Sequence, residues 1–138
     1  NWEWMITGMN LFFPQHAVGI GMPLSSGFWD KKINALRSRF GMKIIHSKIV
    51  NSSFEAFQQE KVSTATLVLA DQSPGDTAKS YWMNFLGQQT AIAFGTEFLA
   101  NKFNQAVVFY LPKQRKRGYY EVTLELITKN PEHFNGEN

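Results

Sequence analysis

The side chains best placed for chemistry are two carboxylates, Glu3 and Asp71, and the amide Gln72 that follows Asp71. Asp71 comes directly after the apolar, β-rich run 64–70, so a buried strand would fix its position while the next loop leaves it accessible. That placement suits a carboxylate that acts on a substrate. It equally suits a cap, because an Asp at a strand end often accepts hydrogen bonds from nearby backbone N–H groups. Position alone leaves both interpretations of Asp71 open.

Glu3 lies between Trp2 and Trp4. A carboxylate is costly to bury unless it is paired, and it is an unusual neighbour for two tryptophans on a surface. From these residues alone, the favoured interpretation is a frayed terminus that carries two half-buried aromatic rings.

A third candidate segment is 21–24, Gly-Met-Pro-Leu, which follows a short apolar strand predicted over 16–22. In open α/β sheets the site lies beyond the carboxyl ends of the strands. We therefore expect Pro23 and its neighbours to meet Asp71 and Glu3 at that edge of the sheet.

Four basic side chains crowd into five positions near the end of the chain: Lys113, Arg115, Lys116 and Arg117. They form either a solvated hairpin turn or a contact for lipid phosphates, an acidic carrier protein or an anionic membrane. Each basic residue near such a membrane contributes ~1 kcal/mol. The net charge is only +3, lower than is usual for a nucleic-acid module, so no nucleic acid is expected as a partner.

Several other chemistries lack their motifs. No G-x-S-x-G elbow, complete dinucleotide fingerprint or G-x-x-x-x-G-K-[ST] phosphate loop occurs in the sequence. The three histidines are far apart, and there is no cysteine, so thiolate metal sites and disulfides are excluded and no metal site is expected. No cofactor is predicted.

The order of predicted elements is β-α-β-α-β-α-β-β. This order is typical of an α/β domain with a mostly parallel sheet flanked by helices and a C-terminal antiparallel hairpin. Strands are predicted over 16–22, 42–46, 64–70, 105–111 and 119–127, and helices over 28–40, 52–61 and 90–103, with a polar loop over 72–89.

Apolar periodicity also predicts which faces are buried. In helix 28–40, one face carries Trp29, Ile33, Leu36 and Phe40 and is expected to point inward. The spacing of a capping box would begin the next helix at residue 52. Strand 64–70 reads as buried on both faces.

Length and composition predict one domain over residues 1–138, with 43% hydrophobic and 14% aromatic residues. Such a composition excludes an intrinsically disordered chain. No apolar stretch approaches the ~20 residues of a membrane-spanning helix. The opening Asn1-Trp2-Glu3 and the breaker-rich end lead us to expect a piece of a longer protein.

Four stretches together resemble one known family. The chain resembles the bacterial lipid A biosynthesis acyltransferases (lauroyl or myristoyl transferases), in the form seen among Bacteroidetes. Nearly the whole chain takes part in the likeness, and 117–121 also fits. The four stretches are Asn1-Trp2-Glu3-Trp4, Leu36-Arg37-Ser38-Arg39-Phe40-Gly41, Ala70-Asp71-Gln72-Ser73-Pro74, and Trp82 through Phe85-Leu86-Gly87 to Thr90.

The resemblance implies catalytic roles for Glu3 and Asp71. The signature of the family is H-x-x-x-x-D/E within a G-H-x-G-N-W-E run, so Glu3 matches its acidic member and the histidine would stand three residues before Asn1. The histidine would take a proton from an acceptor hydroxyl or amine, and Glu3 would hold that histidine. Asp71 would position the acceptor. The chain would then be an N-terminally truncated part of the catalytic domain, inactive without its histidine.

The resemblance also implies partners and a location. The donor is expected to be acyl-carrier protein or acyl-CoA, and the acceptor a lipid A precursor or a related lysolipid or aminolipid. Substrate-binding residues would be Pro23, Gln72, Arg115, Lys116 and Arg117. The family carries a membrane anchor, which implies the cytoplasmic face of the inner membrane.

One position departs from the family pattern. Met22 stands before Pro23 where the family often has a basic residue that can contact phosphate. Met22 therefore leaves open a degenerate homologue without activity. The basic run leaves open a non-catalytic module that binds an anionic surface or nucleic acid.

Overall fold

The computed structural model describes residues 2–131, in which four helices and seven strands are found. The helices are α1 (Trp2–Phe12), α2 (Gly27–Arg37), α3 (Val50–Gln59) and α4 (Gly95–Phe103). The strands are β1 (His16–Gly21), β2 (Lys43–His46), β3 (Thr64–Leu67), β4 (Ser80–Phe85), β5 (Gln88–Ala93), β6 (Val107–Lys116) and β7 (Tyr119–Thr128). Single 3₁₀ turns follow α2 and β2 and precede β4.

The chain divides into two compact units, Asn1–Val68 and Leu69–Asn138, here called the N-terminal unit and the C-terminal unit. The N-terminal unit holds the helices α1 to α3 and the sheet β2-β1-β3. The C-terminal unit holds α4 and two antiparallel hairpins, β4-β5 and β6-β7. The single domain expected over residues 1–138 stays a prediction.

The predicted fold class is confirmed: a parallel sheet flanked by helices is followed by a C-terminal antiparallel hairpin. In the sheet, β1 is the central strand and pairs in parallel with both β2 and β3. Parallel strands need long crossover connections, and α2 and α3 provide them. The carboxyl ends of all three strands therefore lie at one edge.

Helices cover both faces of the sheet in the N-terminal unit. Because side chains alternate along a strand, neighbouring positions of β1 serve different faces. On one face α1 packs through a buried cluster, which consists of Ile6, Met9, Ala17 and Met42. On the other face Lys43, opposite Val18 in the register, has its Nζ atom 4.8 Å from the ring centroid of Phe57 in α3.

Two predictions in the N-terminal unit need correction. The strand after residue 63 ends at Leu67, and it lies at the edge of the sheet with half-buried side chains. The most buried strand is β1, in which Ala17 and Val18 are fully enclosed. Helix α2 is confirmed, but the expected inner face points outward, because Trp29 is 57% and Leu36 56% exposed.

The predicted capping box does not form. Helix α3 begins at Val50, after a 3₁₀ turn, and Ile49 precedes it without a side-chain cap. The Ser52 hydroxyl donates instead to the carbonyl oxygen of Ile49, 3.1 Å away. Phe54 and Phe57 of α3 face inward, since both are buried.

The predicted polar loop over 72–89 is wrong, because residues 80–93 form the hairpin β4-β5. Its two-residue turn has positive φ at Leu86 (53°) and Gly87 (79°), the backbone that two-residue hairpins favour. The pairing of residues 88–93 with β4 also delays α4, which begins at Gly95 rather than at residue 90.

Pro112 was expected to end its strand, yet β6 continues to Lys116. Pro112 pairs with Val122 in the hairpin β6-β7, where each strand has a second, unpaired edge within the described residues. A proline is tolerated in such a strand because its missing N–H can face away from the ladder. The basic run is thus the end of a strand, followed by a turn in which Gly118 has a φ of 80°.

In the described part of the chain, none of the helices combines the length and the apolar character that crossing a bilayer requires.

Phe54 carries much of the packing between α3 and the rest of its unit. Its side chain is 1% exposed, whereas Phe12 in α1 is 76% exposed. We expect Phe54→Ala to lower the free energy of unfolding by about 3–5 kcal/mol, because it removes buried surface and leaves a cavity. Phe12→Ala is the matched control and is expected to stay within about 0.5 kcal/mol of the parent chain. Urea titration measures both, and equal effects would contradict the assignment of the core.

Candidate functional site

A cleft of about 700 Å³ opens at the carboxyl ends of β1 and β2 in the N-terminal unit. The end of β1 and the loop after it form one side, α2 and its 3₁₀ turn form another, and β2 completes the lining. This is the edge at which α/β sheets commonly bind their ligands. Its lining includes Met22, Pro23, Asp30, Arg37, Lys43 and His46.

Glu3 forms a two-point ion pair with Arg37, a residue that lines the cleft. The Nη2 atom of Arg37 donates to Oε1 of Glu3 over 2.6 Å, and its Nε atom donates to Oε2 over 3.2 Å. Such a fork fixes the plane of a carboxylate as well as its position. The Arg37 side chain is 20% exposed and that of Glu3 43%, so the carboxylate stays accessible.

Glu3 is also well placed on its own helix. It lies in the first turn of α1, where the helix dipole stabilises a negative charge. Its carbonyl oxygen accepts a hydrogen bond from the Thr7 hydroxyl over 3.0 Å. The interpretation of residues 2–4 as a frayed terminus is therefore wrong: this segment is the first turn of an ordered helix.

Asp30 holds the loop after β1 against the start of α2. Its Oδ1 atom accepts from the backbone N–H of Leu24 over 2.8 Å, and its Oδ2 atom accepts from the side-chain amide of Asn34 over 3.1 Å. Both oxygens thus fix the cleft wall that includes Pro23. We interpret Asp30 as a structural carboxylate.

The other end of α2 is fixed through Asn10 of α1. The Oδ1 atom of Asn10 accepts from the backbone N–H of Ala17 in β1 over 2.6 Å. Its Nδ2 atom lies 2.6 Å from the point that a Cβ on Gly41 would occupy. Gly41 has a φ of 96° and terminates the 3₁₀ turn after α2, so only a glycine fits there without strain.

His46 lies at the carboxyl end of β2 and lines the cleft. Its Nδ1 atom accepts a hydrogen bond from the backbone N–H of Lys48 over 3.0 Å. An accepting Nδ1 atom carries no hydrogen, so the neutral ring has its proton on Nε2. Together with Arg37 of α2 and Lys43 of the same strand, the imidazole gives the cleft hydrogen-bond donors from two elements, which suits an anionic or strongly polar group.

The structure places the predicted site residues in both units. Glu3 and Pro23 belong to the N-terminal unit, where Pro23 lines the cleft and Glu3 pairs with Arg37, which also lines it. Asp71 and Gln72 belong to the C-terminal unit, where they are exposed in the turn that follows β3. Among residues 2–131, no hydrogen-bond partner of the Asp71 side chain is found, so the alternative that Asp71 caps a loop has no support.

The basic run lies at the tip of the β6-β7 hairpin and is exposed. Arg115 forms an ion pair with Glu121 on the neighbouring strand. The Nζ atom of Lys116 lies 4.1 Å from the ring centroid of Tyr119. Part of the basic charge is therefore engaged within the hairpin, whereas Arg117 lies in the turn itself.

A smaller groove of about 430 Å³ lies in the C-terminal unit, between β4 and α4. The Glu97 carboxylate raises the pKa of Tyr81 there, chiefly by its charge. Trp82 and Phe85 on β4 are 58% and 56% exposed. No group of three His, Asp or Glu side chains that could hold a metal ion occurs in the described residues.

Comparison with known families decides the identity of the fold. The family model described as bacterial lipid A biosynthesis acyltransferase matches residues 1–131. The chain belongs to the bacterial lipid A biosynthesis acyltransferase family. The resemblance drawn from the sequence is thus confirmed at the level of the family. A comparison with curated proteins gives no match.

Arg37 is the residue of this acyltransferase that sequence reasoning missed. Its position in the sequence indicates only a cation in the last turn of α2, where it complements the helix dipole. The stretch 36–41, which carries the resemblance, contained the available signal. A partner 34 positions away along the chain leaves no local pattern, so the pairing with Glu3 was not predictable.

Gly41 tests whether the cleft depends on the contact with Asn10. We expect Gly41→Ala to lower the free energy of unfolding by about 1–3 kcal/mol, because the new Cβ meets Asn10 and the positive φ strains any other residue. Gly27→Ala is the control: no atom lies within 4 Å of its Cβ position, so stability should hold or rise by about 1 kcal/mol. Thermal unfolding compares them, and a fully stable Gly41→Ala protein would refute the account.

Proposed function

We propose that this acyltransferase moves a fatty acyl chain from a thioester donor to the hydroxyl or amine of a lipid acceptor. The observation that carries the proposal is the Glu3 carboxylate, which Arg37 holds by two hydrogen bonds at the wall of the cleft. Membership of the family supports acyl transfer as the reaction class. The donor and the acceptor are part of the proposal.

In the proposed mechanism Glu3 is the acidic partner of a histidine three residues before Asn1. The histidine removes the proton from the acceptor O–H or N–H as that atom attacks the thioester carbonyl carbon. The tetrahedral intermediate collapses, the C–S bond breaks, and the histidine returns the proton to the departing thiolate. Glu3 accepts a hydrogen bond from the imidazole and stabilises its cationic form, as the carboxylate of a catalytic triad does.

Arg37 acts in this mechanism as a positioning residue. A carboxylate on the first turn of a helix has several rotamers available, and the guanidinium fork selects one of them. The orientation of Glu3 in turn sets the orientation of the histidine. Arg37 therefore acts through Glu3 without touching the reacting atoms.

The cleft supports binding of the polar part of the acceptor. Met22 stands at the position before Pro23 where the family often has a basic residue. Lys43 and His46, however, line the same cleft. We propose that these donors receive the anionic or polar headgroup of the lipid in place of the missing residue. Pro23 forms part of the wall against which it packs.

The C-terminal unit supplies the remaining elements of the proposal. Asp71 and Gln72 position the acceptor from their exposed turn. Arg115, Lys116 and Arg117 at the hairpin tip meet the acyl-carrier protein, which is acidic, or the phosphates of acyl-CoA. The proposed location is the cytoplasmic face of the inner membrane, where a lipid acceptor is available.

Glu3→Gln tests the proposed catalytic pair. It keeps the size of the side chain and removes its charge, so kcat for acyl transfer should fall about 10²–10⁴-fold. The assay uses the full-length encoded protein with an acyl thioester and a lysolipid or lipid A precursor. Glu60→Gln, at the exposed C-terminal end of α3, is the control and should keep the parent rate. Unchanged turnover in Glu3→Gln would refute the mechanism, and an inactive parent protein would indicate a degenerate homologue.

Asp71→Ala separates a functional from a structural aspartate. We expect turnover to fall at least about tenfold while the melting temperature stays within about 1 °C, because the side chain is exposed and its removal breaks no described contact. Asp76→Ala is the comparison: its Oδ1 atom accepts from the backbone N–H of Ala78 over 3.0 Å, so it should lower stability without the same loss of turnover. A parallel loss of fold in Asp71→Ala would make Asp71 structural.

A further inference from the structure

Helix α2 is amphipathic in the reverse of the usual sense. A helix on the surface of a globular unit normally turns its apolar stripe toward the core. In α2 the inward side carries Asp30, Asn34 and Arg37, at i, i+4 and i+7, and these residues line the cleft. The opposite side carries Phe28 and Leu36, at i and i+8, and no residue of the helix is buried.

Six exposed apolar side chains of α2 and its flanking loops are together called the α2 face. Its members are all large and all at least 43% exposed. They are Met22 (75%), Leu24 (43%), Phe28 (62%), Trp29 (57%), Leu36 (56%) and Phe40 (43%). This concentration of exposed aromatic and aliphatic side chains on one short helix is a sign of an interaction site.

The charges of the α2 face are all positive. Lys32 and Arg39 lie beside its aromatic rings: Lys32 Nζ lies 4.8 Å from the ring centroid of Phe28, and the Arg39 guanidinium carbon lies 5.5 Å from that of Phe40. Lys31 is exposed on the same helix. The acidic residue of α2 is Asp30, which points to the other side and has both oxygens hydrogen-bonded. Exposed rings among long cationic side chains are the combination that binds at the headgroup level of an anionic bilayer.

We propose that the α2 face binds the surface of an anionic lipid bilayer. Helix α2 then lies in the plane of the interface, with Phe28, Trp29 and Leu36 among the upper acyl chains and the lysines among lipid phosphates. Eleven residues span about 16 Å, which suits a helix that lies on a membrane rather than across it. This assignment deepens the proposed function, because the acceptor is a membrane lipid.

A second copy of the chain fits this face less well. A symmetric dimer would bring the α2 face against itself, so its three cations would oppose the same three cations of the other copy. Like charges across an interface are unfavourable, and the face has no exposed acidic residue to offset them. An anionic lipid surface satisfies the cations and the rings together.

The loop between β1 and α2 connects the proposed membrane contact with the cleft. Met22 belongs to both, since it lines the cleft and is 75% exposed. With α2 on the bilayer, the polar side of the helix faces away from the lipid and toward the cleft. A lipid headgroup would therefore pass along residues 22–24 to reach Arg37 and Lys43.

The test is binding of the 138-residue chain to vesicles, without donor or acceptor. Sedimentation compares vesicles of phosphatidylcholine alone with vesicles that contain a third of phosphatidylglycerol. Trp29→Ala should weaken binding to the anionic vesicles about tenfold. Trp82→Ala is the matched control, because Trp82 is 58% exposed on the C-terminal unit, and it should bind like the parent chain.

A second pair of variants tests the charges. Lys31→Gln with Lys32→Gln should weaken binding about 20–30-fold and flatten its salt dependence, at ~1 kcal/mol per lysine. Lys113→Gln with Lys116→Gln, in the basic hairpin, should have little effect. If the hairpin variants lose binding and the α2 variants keep it, the membrane contact lies at the hairpin and the proposal is wrong.

Two further outcomes would also overturn the proposal. The first is no binding to anionic vesicles by the parent chain. The second is a parent chain that is dimeric in solution and becomes monomeric with Trp29→Ala, which would assign the α2 face to a second copy. The vesicle assay measures membrane binding alone, so its result does not depend on whether Glu3 takes part in catalysis. If the chain fails to bind vesicles, the acyl-transfer assay still tests the proposed function separately.

Discussion

The ion pair between Glu3 and Arg37 is the interaction on which the candidate site depends. It joins the first turn of α1 to the last turn of α2, two helices that are separated along the chain by the central strand. Each helix is also fixed at its other end: Asn10, in the last turn of α1, accepts from the Ala17 N–H of β1, and Asp30, in the first turn of α2, accepts from the Leu24 N–H of the loop before it. The cleft exists because these contacts hold α2 beside the edge of the sheet.

Local patterns in the sequence were enough for the parallel part of the fold. Short apolar runs predicted β1 and β2, and apolar periodicity predicted α2 and α3. Both patterns involve only residues that are close together in the sequence. Periodicity alone could not predict whether the apolar side of α2 faces the core or the solvent, because the sequence pattern is the same in both cases. The side of α2 that carries Asp30, Asn34 and Arg37 faces the cleft, and the aromatic side does not. Asp30 and Arg37 each have specific partners in the unit, which fixes this orientation.

The C-terminal unit was harder to predict because its elements depend on partners distant from each residue. Residues 80–85 contain aromatic residues without a regular alternation, and only their pairing with 88–93 makes them a strand. Of the candidate site, Glu3 and Pro23 were identifiable through the family motif, and the role of Arg37 was not, because ion pairs across the chain leave no spacing in the sequence. For Asp71, the exposed turn agrees with its expected accessibility.

The close approach of Asn10 to Gly41 also restricts how the sequence can drift. A side chain at position 41 would first require a shorter residue at position 10, which removes the acceptor of the Ala17 N–H group. A shorter residue at position 10 alone would leave the N–H group of Ala17 without its acceptor. Shortening position 10 would not make a side chain at position 41 acceptable, because the left-handed backbone at position 41 strains any residue other than glycine. Asn10 and Gly41 are therefore each restricted on their own grounds, and a change at one does not release the other.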